Sequence, residues 1–568
     1  MQNTERSNNR KISWRIAKKL SAAAIAIMLL CTGCAGSAAA DTADAVTENT
    51  GTVQVSNAAS KSEQFTERDL SGDYDEKEAV KITLSGSSAS AESGASGVTI
   101  DGSTITISAE GTYIFSGSLT DGQVIVDADD TAKVQIVLDG AGITSSSSAA
   151  LYVKSADKVF VTTASGSENT LANGGTFTAI DDSNIDGAVF AKDDITFNGS
   201  GSLTVTSPAG HGIVGKDDVK IAGGSLAITA AKHGVQANDS ARFAAADVTI
   251  EAGTDGVHVS DNADEETGTA SDSYFYIADG DIKINAGDDG IHADAQALVE
   301  GGCITVSSSY EGLEALEITV SGGDIDVTAT DDGFNAAGGN SSSSDSNAFG
   351  DDDWMGGKGG FPDGGGFSNG GSDGSISISG GSIRITAGGD GVDSNGSVDI
   401  SGGTTIIEGP SQGDTSILDH NSTATISGGT FIGTGGAGMG ESFTGVENQG
   451  LITVSTGNQS AGTTVTLTDT DGNVIAETTP ELDFTTVYIS TEDMDPSGTY
   501  TLSAGSYSET MQLTDGVYGS ISGGRGGMNG GRNDSGSEEM PGGPEAGHSG
   551  MRHGGDMSGG EAPDMMQN

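Results

Sequence analysis

Basic residues, cysteine, aromatic rings and proline are all scarce in this chain, and each scarcity closes off a class of protein. There are 24 Lys and Arg against 81 Asp and Glu in 568 residues, a formal net charge of −57. A surface of that sign repels phosphate backbones, which excludes nucleic acid as a direct partner and favours divalent cations. Three cysteines cannot build a disulfide framework. Aromatics make up 5% of the chain and all hydrophobics 34%, poor material for a thick globular core. The apolar stretch from Leu20 to Leu30 is too short to span a bilayer. What is abundant is glycine, 91 residues against 8 prolines, which suits thin stacked strands joined by tight turns.

Residues 1–33 read as a secretory signal, with Arg10, Lys11, Arg15, Lys18 and Lys19 ahead of that apolar stretch. Leu30-Cys31-Thr32-Gly33-Cys34 then resembles a bacterial lipoprotein box, with Cys31 where leucine is usual. The expectation is a lipid on Cys34 and an extracellular protein that touches the bacterial cell membrane only through this anchor. Cys303 is then expected to be a small core residue. Residues 34–77, rich in Ala, Ser, Thr and Asp, are expected to form a flexible linker, and the Gly- and Met-rich residues 518–568 a disordered tail.

Between these ends a short phrase recurs: a polar or acidic residue, glycine, then an apolar residue. The copies are Asp186-Gly187, His211-Gly212, His233-Gly234, Asp255-Gly256, Asp289-Gly290, Glu311-Gly312, Asp332-Gly333, Asp390-Gly391 and Gln412-Gly413. Successive glycines are 25, 22, 22, 34, 22, 21, 58 and 22 residues apart. Each copy also carries a strand with two inward apolar positions, such as Leu226/Ile228, Ile304/Val306 and Ile383/Ile385, after a turn such as Gly301-Gly302 or Gly380-Gly381. Such a period without helical patterning predicts an all-β fold, a parallel β-helix in which each copy is one coil. Leucine-rich repeats have a similar length, but their leucine and asparagine ladder is missing. The β-helix is placed at 78–440, and a small β unit at 441–517 is expected to cap its open end, because an uncapped edge invites further pairing. The two longer copies place insertions near Asp261 and over 338–374, where loops would leave one face.

Stacking would place the residues before each glycine in a column, about 4.8 Å apart. Five consecutive members are acidic: Asp255, Asp289, Glu311, Asp332 and Asp390. Two residues after each glycine runs a second column, Val189, Val214, Gln236, His258, His292, Glu314, Asn335 and Asp393, with Asp288, Asp294 and Asp331 beside it. Like charges at that spacing repel by roughly 1 kcal/mol in water and about 3–4 kcal/mol at an effective dielectric near 20. Raised carboxyl pKa values or bound cations relieve such a load. Extracellular calcium prefers carboxylate and carbonyl oxygens and is the expected cofactor; the rival is a solvated acidic ridge built from common Asp-Gly turns. His211, His233, His258 and His292 in these columns are expected to be stacked neutral rings rather than a transition-metal site. The basic residues Lys192, Lys216, Lys220, Lys232 and Arg384 form no recognisable catalytic constellation with the acids.

Three stretches carry a resemblance: Gly111-Thr112-Tyr113-Ile114-Phe115-Ser116-Gly117, Asp121-Gly122-Gln123-Val124-Ile125-Val126, and Val137-Leu138-Asp139-Gly140-Ala141-Gly142-Ile143-Thr144. With the later Asp-Asp-Gly repeats and Gly498-Thr499-Tyr500-Thr501-Leu502, roughly residues 78–515 resemble the bacterial surface proteins called carbohydrate-binding domain-containing proteins. That resemblance implies a right-handed parallel β-helix similar to pectate lyases, bound calcium, and binding of cellulose or of acidic sugars such as polygalacturonate without lyase action. Asp289, Glu311, Asp332 and Asp390 fit the implied calcium ligands best, while His211, His233 and Gln412 depart from them. Trp354, Phe361, Phe367, Tyr274 and Tyr276 are the aromatic candidates for sugar stacking. The sequence therefore predicts a lipid-anchored, calcium-dependent binder of acidic or plant-type polysaccharide. A calcium-dependent polysaccharide lyase and a structural spacer or adhesin are the alternatives.

Overall fold

The computed structural model describes residues 61–180, 183–260, 272–337, 374–410, 415–436, 438 and 440–519. All of them belong to the first of two compact units, Met1–Gly523; the second, Gly524–Asn568, lies outside the described residues. The described chain is nearly all β. Its helices are two single turns, Lys61–Gln64 and Glu67–Leu70.

Equivalent segments of the repeat pair with one another, parallel and in register. Ser202–Ser207, Ser225–Ala230, Asp247–Ala252, Asp281–Asn285, Cys303–Ser308, Asp324–Ala329 and Ser382–Ala387 form one such ladder. Its register places Leu203, Leu226, Val248, Ile282, Ile304, Ile325 and Ile383 in one row and Val205, Ile228, Ile250, Ile284, Val306, Val327 and Ile385 in the next. Both rows are buried, and each such side chain contributes roughly 1.5–3 kcal/mol over its exposed state. Alternation with polar residues keeps the opposite face of each strand in water. The turn before each strand needs glycine for conformation: Gly323 has φ +87° and Gly381 φ +84°, a region that a Cβ disfavours.

A second ladder carries the corner residues. It runs through His211–Gly215, Val235–Ala237, Val257–Val259, the first residues of Ile291–Val299 and Leu313–Val320, then Phe334–Ala336, Val392–Ser394 and Leu418–His420. The third runs through Lys158–Thr163, Asp194–Gly199, Asp218–Ile221, Ser240–Phe243 and Tyr274–Ile277. Parallel stacking stops where Phe484–Thr491 pairs antiparallel with Ala424–Gly435 and with Gly450–Gln459. A four-stranded antiparallel sheet built around Val465–Thr468 and Thr499–Ala504 encloses a separate core with Ile432, Ile452, Val487 and Leu502.

The register corrects the sequence reading at both ends of the corner column. Gly187 pairs with His211, so Asp186 does not stack on His211, and Phe190 rather than Val189 precedes Val214. At the far end Val392 pairs with Leu418, so Ser416 and Ile417 hold the places assigned to Gln412 and Gly413, which lie outside the described residues. In each case the flanking segment differs in length from the regular copy, and hydrophobic pairing rather than the dipeptide sets the register.

The expected linker also ends earlier than residue 77. Residues 64–73 form a strap against the third ladder. Phe65 and Asp69 are 4% and 0% exposed, and the carboxylate of Asp69 meets Lys158 Nζ at 2.8 Å. Burial of one ring and one ion pair holds a segment whose composition alone reads as unstructured. Cys303 is half-buried at the start of its strand and not part of the core.

Candidate metal centre

The corner is held together by one repeated hydrogen bond. Each corner glycine N–H donates to the carbonyl of the corner residue one copy further on: Gly212 to His233, Gly234 to Asp255, Gly256 to Asp289, Gly290 to Glu311, Gly312 to Asp332, Gly333 to Asp390 and Gly391 to Ser416, all at 2.9–3.0 Å. Glycine is required here for space. A Cβ on Gly290 would sit 2.6 Å from the Gly312 carbonyl oxygen and 2.8 Å from a Val306 methyl. The acids therefore stack at strand spacing because the backbone beside them cannot move apart.

The carboxylates join this scaffold. Asp255 Oδ1 accepts from the Asp289 N–H at 3.1 Å, Asp289 Oδ1 from the Glu311 N–H at 3.1 Å, and Asp332 Oδ1 from the Asp390 N–H at 2.5 Å. Asp390 accepts in the same way from the Ser416 N–H. One oxygen of each of these acids is thus spent on backbone, leaving the other for a proton, a ring nitrogen or a cation.

The histidines divide the column in two. Sequence spacing assigns His211 and His233 to one column and His258 and His292 to the other, yet the four rings form a single stack. Their centroids are 4.9, 4.3 and 4.8 Å apart and their planes within 20°. Burial, then the neighbouring His233, push His211 down to about 2, so it is neutral. Asp255 Oδ2 lies 2.6 Å from His258 Nδ1 and 3.1 Å from His233 Nδ1. Burial opposes its charge, but these two rings hold its carboxyl below the usual range. His292 is 2% exposed, with Nδ1 2.5 Å from Glu314 Oε2 and Nε2 3.2 Å from Asp294 Oδ1. Both nitrogens donate, and despite burial these carboxylates raise its pKa well above the ordinary value. That direction departs from the expectation of four neutral rings. Asp294, whose other oxygen accepts from Ser260 Oγ at 2.8 Å, is one of the two carboxylates that face His292.

Beyond the histidines the acids face one another. Burial and then the charges of Asp255, Glu311 and Glu314 push Asp289 up to about 9. Burial and Glu314 push Glu311 up to about 8, although Asn335 donates to its Oε1 at 2.9 Å. Burial, with Asp390, Asp331 and Asp393 nearby, pushes Asp332 up to about 7; Asp390 reaches about 7 and Asp393 about 6 for the same reasons.

Oxygens of Asp332, Asp390 and Asp393 lie within 4.8 Å of one another, as do those of Asp255, Asp288 and Asp289, and the ligand atoms of Asp289, His292 and Glu314. The first set is all carboxylate and has no ring nitrogen to neutralise it. Glu311, Asp294 and Asp331 fall in none of these groups. Among the stacking candidates, Tyr276 is fully buried under the strap and Tyr274 donates its hydroxyl to Gln64 Oε1 at 2.8 Å. Both anchor the strap, and with the strap in place neither presents a face to a sugar. Trp354, Phe361, Phe367 and Cys34 lie outside the described residues. The sequence reading missed Tyr310, 51% exposed and hydrogen-bonded to Asp331 beside the acid column; its place just before Glu311 was the available signal.

The geometry defines a nearly all-β repeat protein with a column of buried acids at one corner. Residues 101–347 match the family model for carbohydrate-binding domain-containing protein. A carbohydrate-binding domain-containing protein of Acetivibrio thermocellus is 36% identical over 136 residues, covering 24% of this chain and 48% of the relative. This chain thus spans about half the length of that curated relative. A solved structure described as the polysaccharide lyase-like protein from C. thermocellum, gadolinium derivative, is 30% identical over 44% of this chain and 94% of its own, with a TM-score of 0.36.

Proposed function

We propose that this protein is a non-catalytic, calcium-dependent binder of acidic or plant-type polysaccharide such as polygalacturonate or cellulose. In this reading the ladders wind as a right-handed parallel β-helix, and a lipid on Cys34 holds it at the outer surface of the bacterial cell membrane. The observation that carries the reading is the Asp332, Asp390 and Asp393 triad, of which Asp332 lies within residues 101–347 that match a carbohydrate-binding family and the two others follow in the next copy of the repeat. Hard carboxylate oxygens that hold protons near neutral pH are suited to calcium, which takes 6–8 oxygen ligands. Three aspartates leave coordination positions for water or for the carboxylates of a sugar chain. The cation then bridges two anionic partners, and the exposed ring of Tyr310 offers a face for stacking.

Binding is favoured over lyase action because four of the five basic candidates already have partners in the folded chain. Arg384 pairs with Glu408 at 2.9 Å, Lys220 with Asp218 at 3.4 Å, and Lys192 and Lys216 lie over the rings of Tyr152 and Phe190. A polygalacturonate pull-down with and without chelator tests the proposal. Retention is expected to vanish in chelator and return with calcium; undiminished retention in chelator refutes the bridge. Release of unsaturated sugars absorbing in the ultraviolet would establish the lyase instead.

A further inference from the structure

The strap lies over a face of the third ladder that carries Lys158, Lys220 and Arg242. By register, the outer face of the third ladder presents one row of Phe160, Thr196, Lys220, Arg242 and Tyr276. Beside it Lys158 begins the next row, which continues through Asp194 and Asp218. The first row crosses four strand steps, about 19 Å, with an aromatic ring at each end. In a chain of net charge −57, two stacked cations between two rings, with Lys158 in the next row, depart from the surroundings even though Asp218 pairs with both Lys220 and Arg242. The same row continues as Leu298, Thr319 and Ser377 once the strap has ended.

What the strap puts into this groove has the functional groups of an acidic sugar. The Asp69 carboxylate, 0% exposed, accepts from Lys158 Nζ and from Thr196 Oγ1, each at 2.8 Å. Carbonyl oxygens follow: Asn198 Nδ2 donates to Ser71 at 2.9 Å and Arg242 Nη1 to Gln64 at 3.1 Å. At one end the Phe65 ring lies 6.3 Å from Tyr276. At the other the Arg68 guanidinium covers Phe160 at 4.4 Å. All of these contacts use side chains of the ladder, and among the described residues the strap joins no ladder. Its attachment can therefore be exchanged for a ligand without breaking the sheet.

We propose that this groove is a second polysaccharide site, one that takes a carboxylate-bearing sugar chain without calcium, and that the strap is its built-in competitor with Asp69 in the seat of a uronate carboxylate. The kind of ligand rests on the carbohydrate-binding reading above, whereas the site and its cations are independent of the acidic corner. Lys158 and Thr196 would take the sugar carboxylate, Lys220 and Arg242 the neighbouring ones, and Phe160 and Tyr276 the ring faces.

The test is calorimetric titration of tetragalacturonate, in excess chelator, into the full chain and two variants that loosen the strap, Asp69→Asn and Phe65→Ala. Both variants are expected to bind at least tenfold more tightly than the unsubstituted chain, and a neutral galactose tetramer is expected to show no gain. Adding Lys220→Ala to either variant is expected to remove the gain. Folded variants that bind no more tightly than the unsubstituted chain would make the strap a permanent brace and overturn the proposal. Should the variants not fold, hydrogen exchange of the unsubstituted chain decides: tetragalacturonate in chelator is expected to speed exchange at residues 64–73, and no change overturns the proposal. Calcium-dependent retention of polygalacturonate by the unsubstituted chain is scored separately, so failure at the corner and failure at the groove remain distinct.

Discussion

Asp69 and Asp289 are both buried aspartates, yet one is held at about 2 and the other pushed up to about 9. Burial raises both. Asp69 wins its charge back from Lys158, the Thr66 N–H and Thr196, whereas Asp289 meets other carboxylates. The consequence for Asp69 has a definite sign. A folded pKa below the unfolded one adds stability that is present above pH 3.8 and lost as pH falls toward about 2. Asp69→Asn is expected to cost about 3 kcal/mol at pH 7 by leaving buried Lys158 with only the longer contact to Asp194, at 3.6 Å. Its loss relative to the unsubstituted chain should shrink below pH 3, which urea unfolding at pH 7 and pH 2.5 measures. The acidic column was legible in the sequence because Asp-Gly recurs with the coil. The role of Asp69 was not, since its partner Lys158 stands 89 positions away in the chain and only the fold brings the two together. The histidine stack was half legible: both columns could be seen, but side chains three positions apart on the backbone reach the same line of rings.

At the scale of the strand and turn, the repeat was readable because a parallel ladder places equal on equal. A 22-residue spacing of inward Ile and Val was sufficient to find the rows of Ile282, Ile304, Ile325 and Ile383. Where a copy changes length, the dipeptide stopped marking the register, as at Gln412 and Asp186. The strap was invisible for a different reason: it has no period, and its anchors are single residues. The corner glycines give the sharpest test at this scale. Gly290→Ala directs a methyl into the Gly312 carbonyl and Val306, and the neighbour on each side is fixed by the same hydrogen bond. The expected loss is about 2–3 kcal/mol or more, with the calcium effect on stability weakened as well, because the acids beside it lose their spacing. Gly462→Ala, at a turn with nothing within 4 Å but φ +80°, should cost only about 1–2 kcal/mol and leave the calcium effect intact. Chemical denaturation of both variants, with and without calcium, checks the contrast.

For the molecule as a whole, the proposed calcium site would make protons and calcium alternatives on the column. Asp289, Glu311, Asp332 and Asp390 bind protons more tightly folded than unfolded, with folded values from about 7 to about 9. Through that range the folded chain holds more protons than the unfolded one, so stability in chelator must fall as pH rises from about 4–5 toward 9. The general repulsion of a chain with net charge −57 acts in the same direction, but monovalent salt screens it over about 10 Å at 0.1 M. A cation seated among carboxylates does more than screen: it replaces the protons and stabilises the folded state by about 2.7 kcal/mol at one hundred times its dissociation constant. Melting temperatures measured from pH 5 to pH 9 are therefore expected to decline steeply in chelator and to stay nearly level in millimolar calcium. The gap should open above pH 6 and should not be reproduced by sodium chloride at matched ionic strength. In Asp390→Asn the decline in chelator should be shallower, because the amide still accepts the Ser416 N–H while removing one of the charges that calcium would otherwise neutralise. The calcium-dependent gain should shrink with it, so the two slopes draw together from both sides.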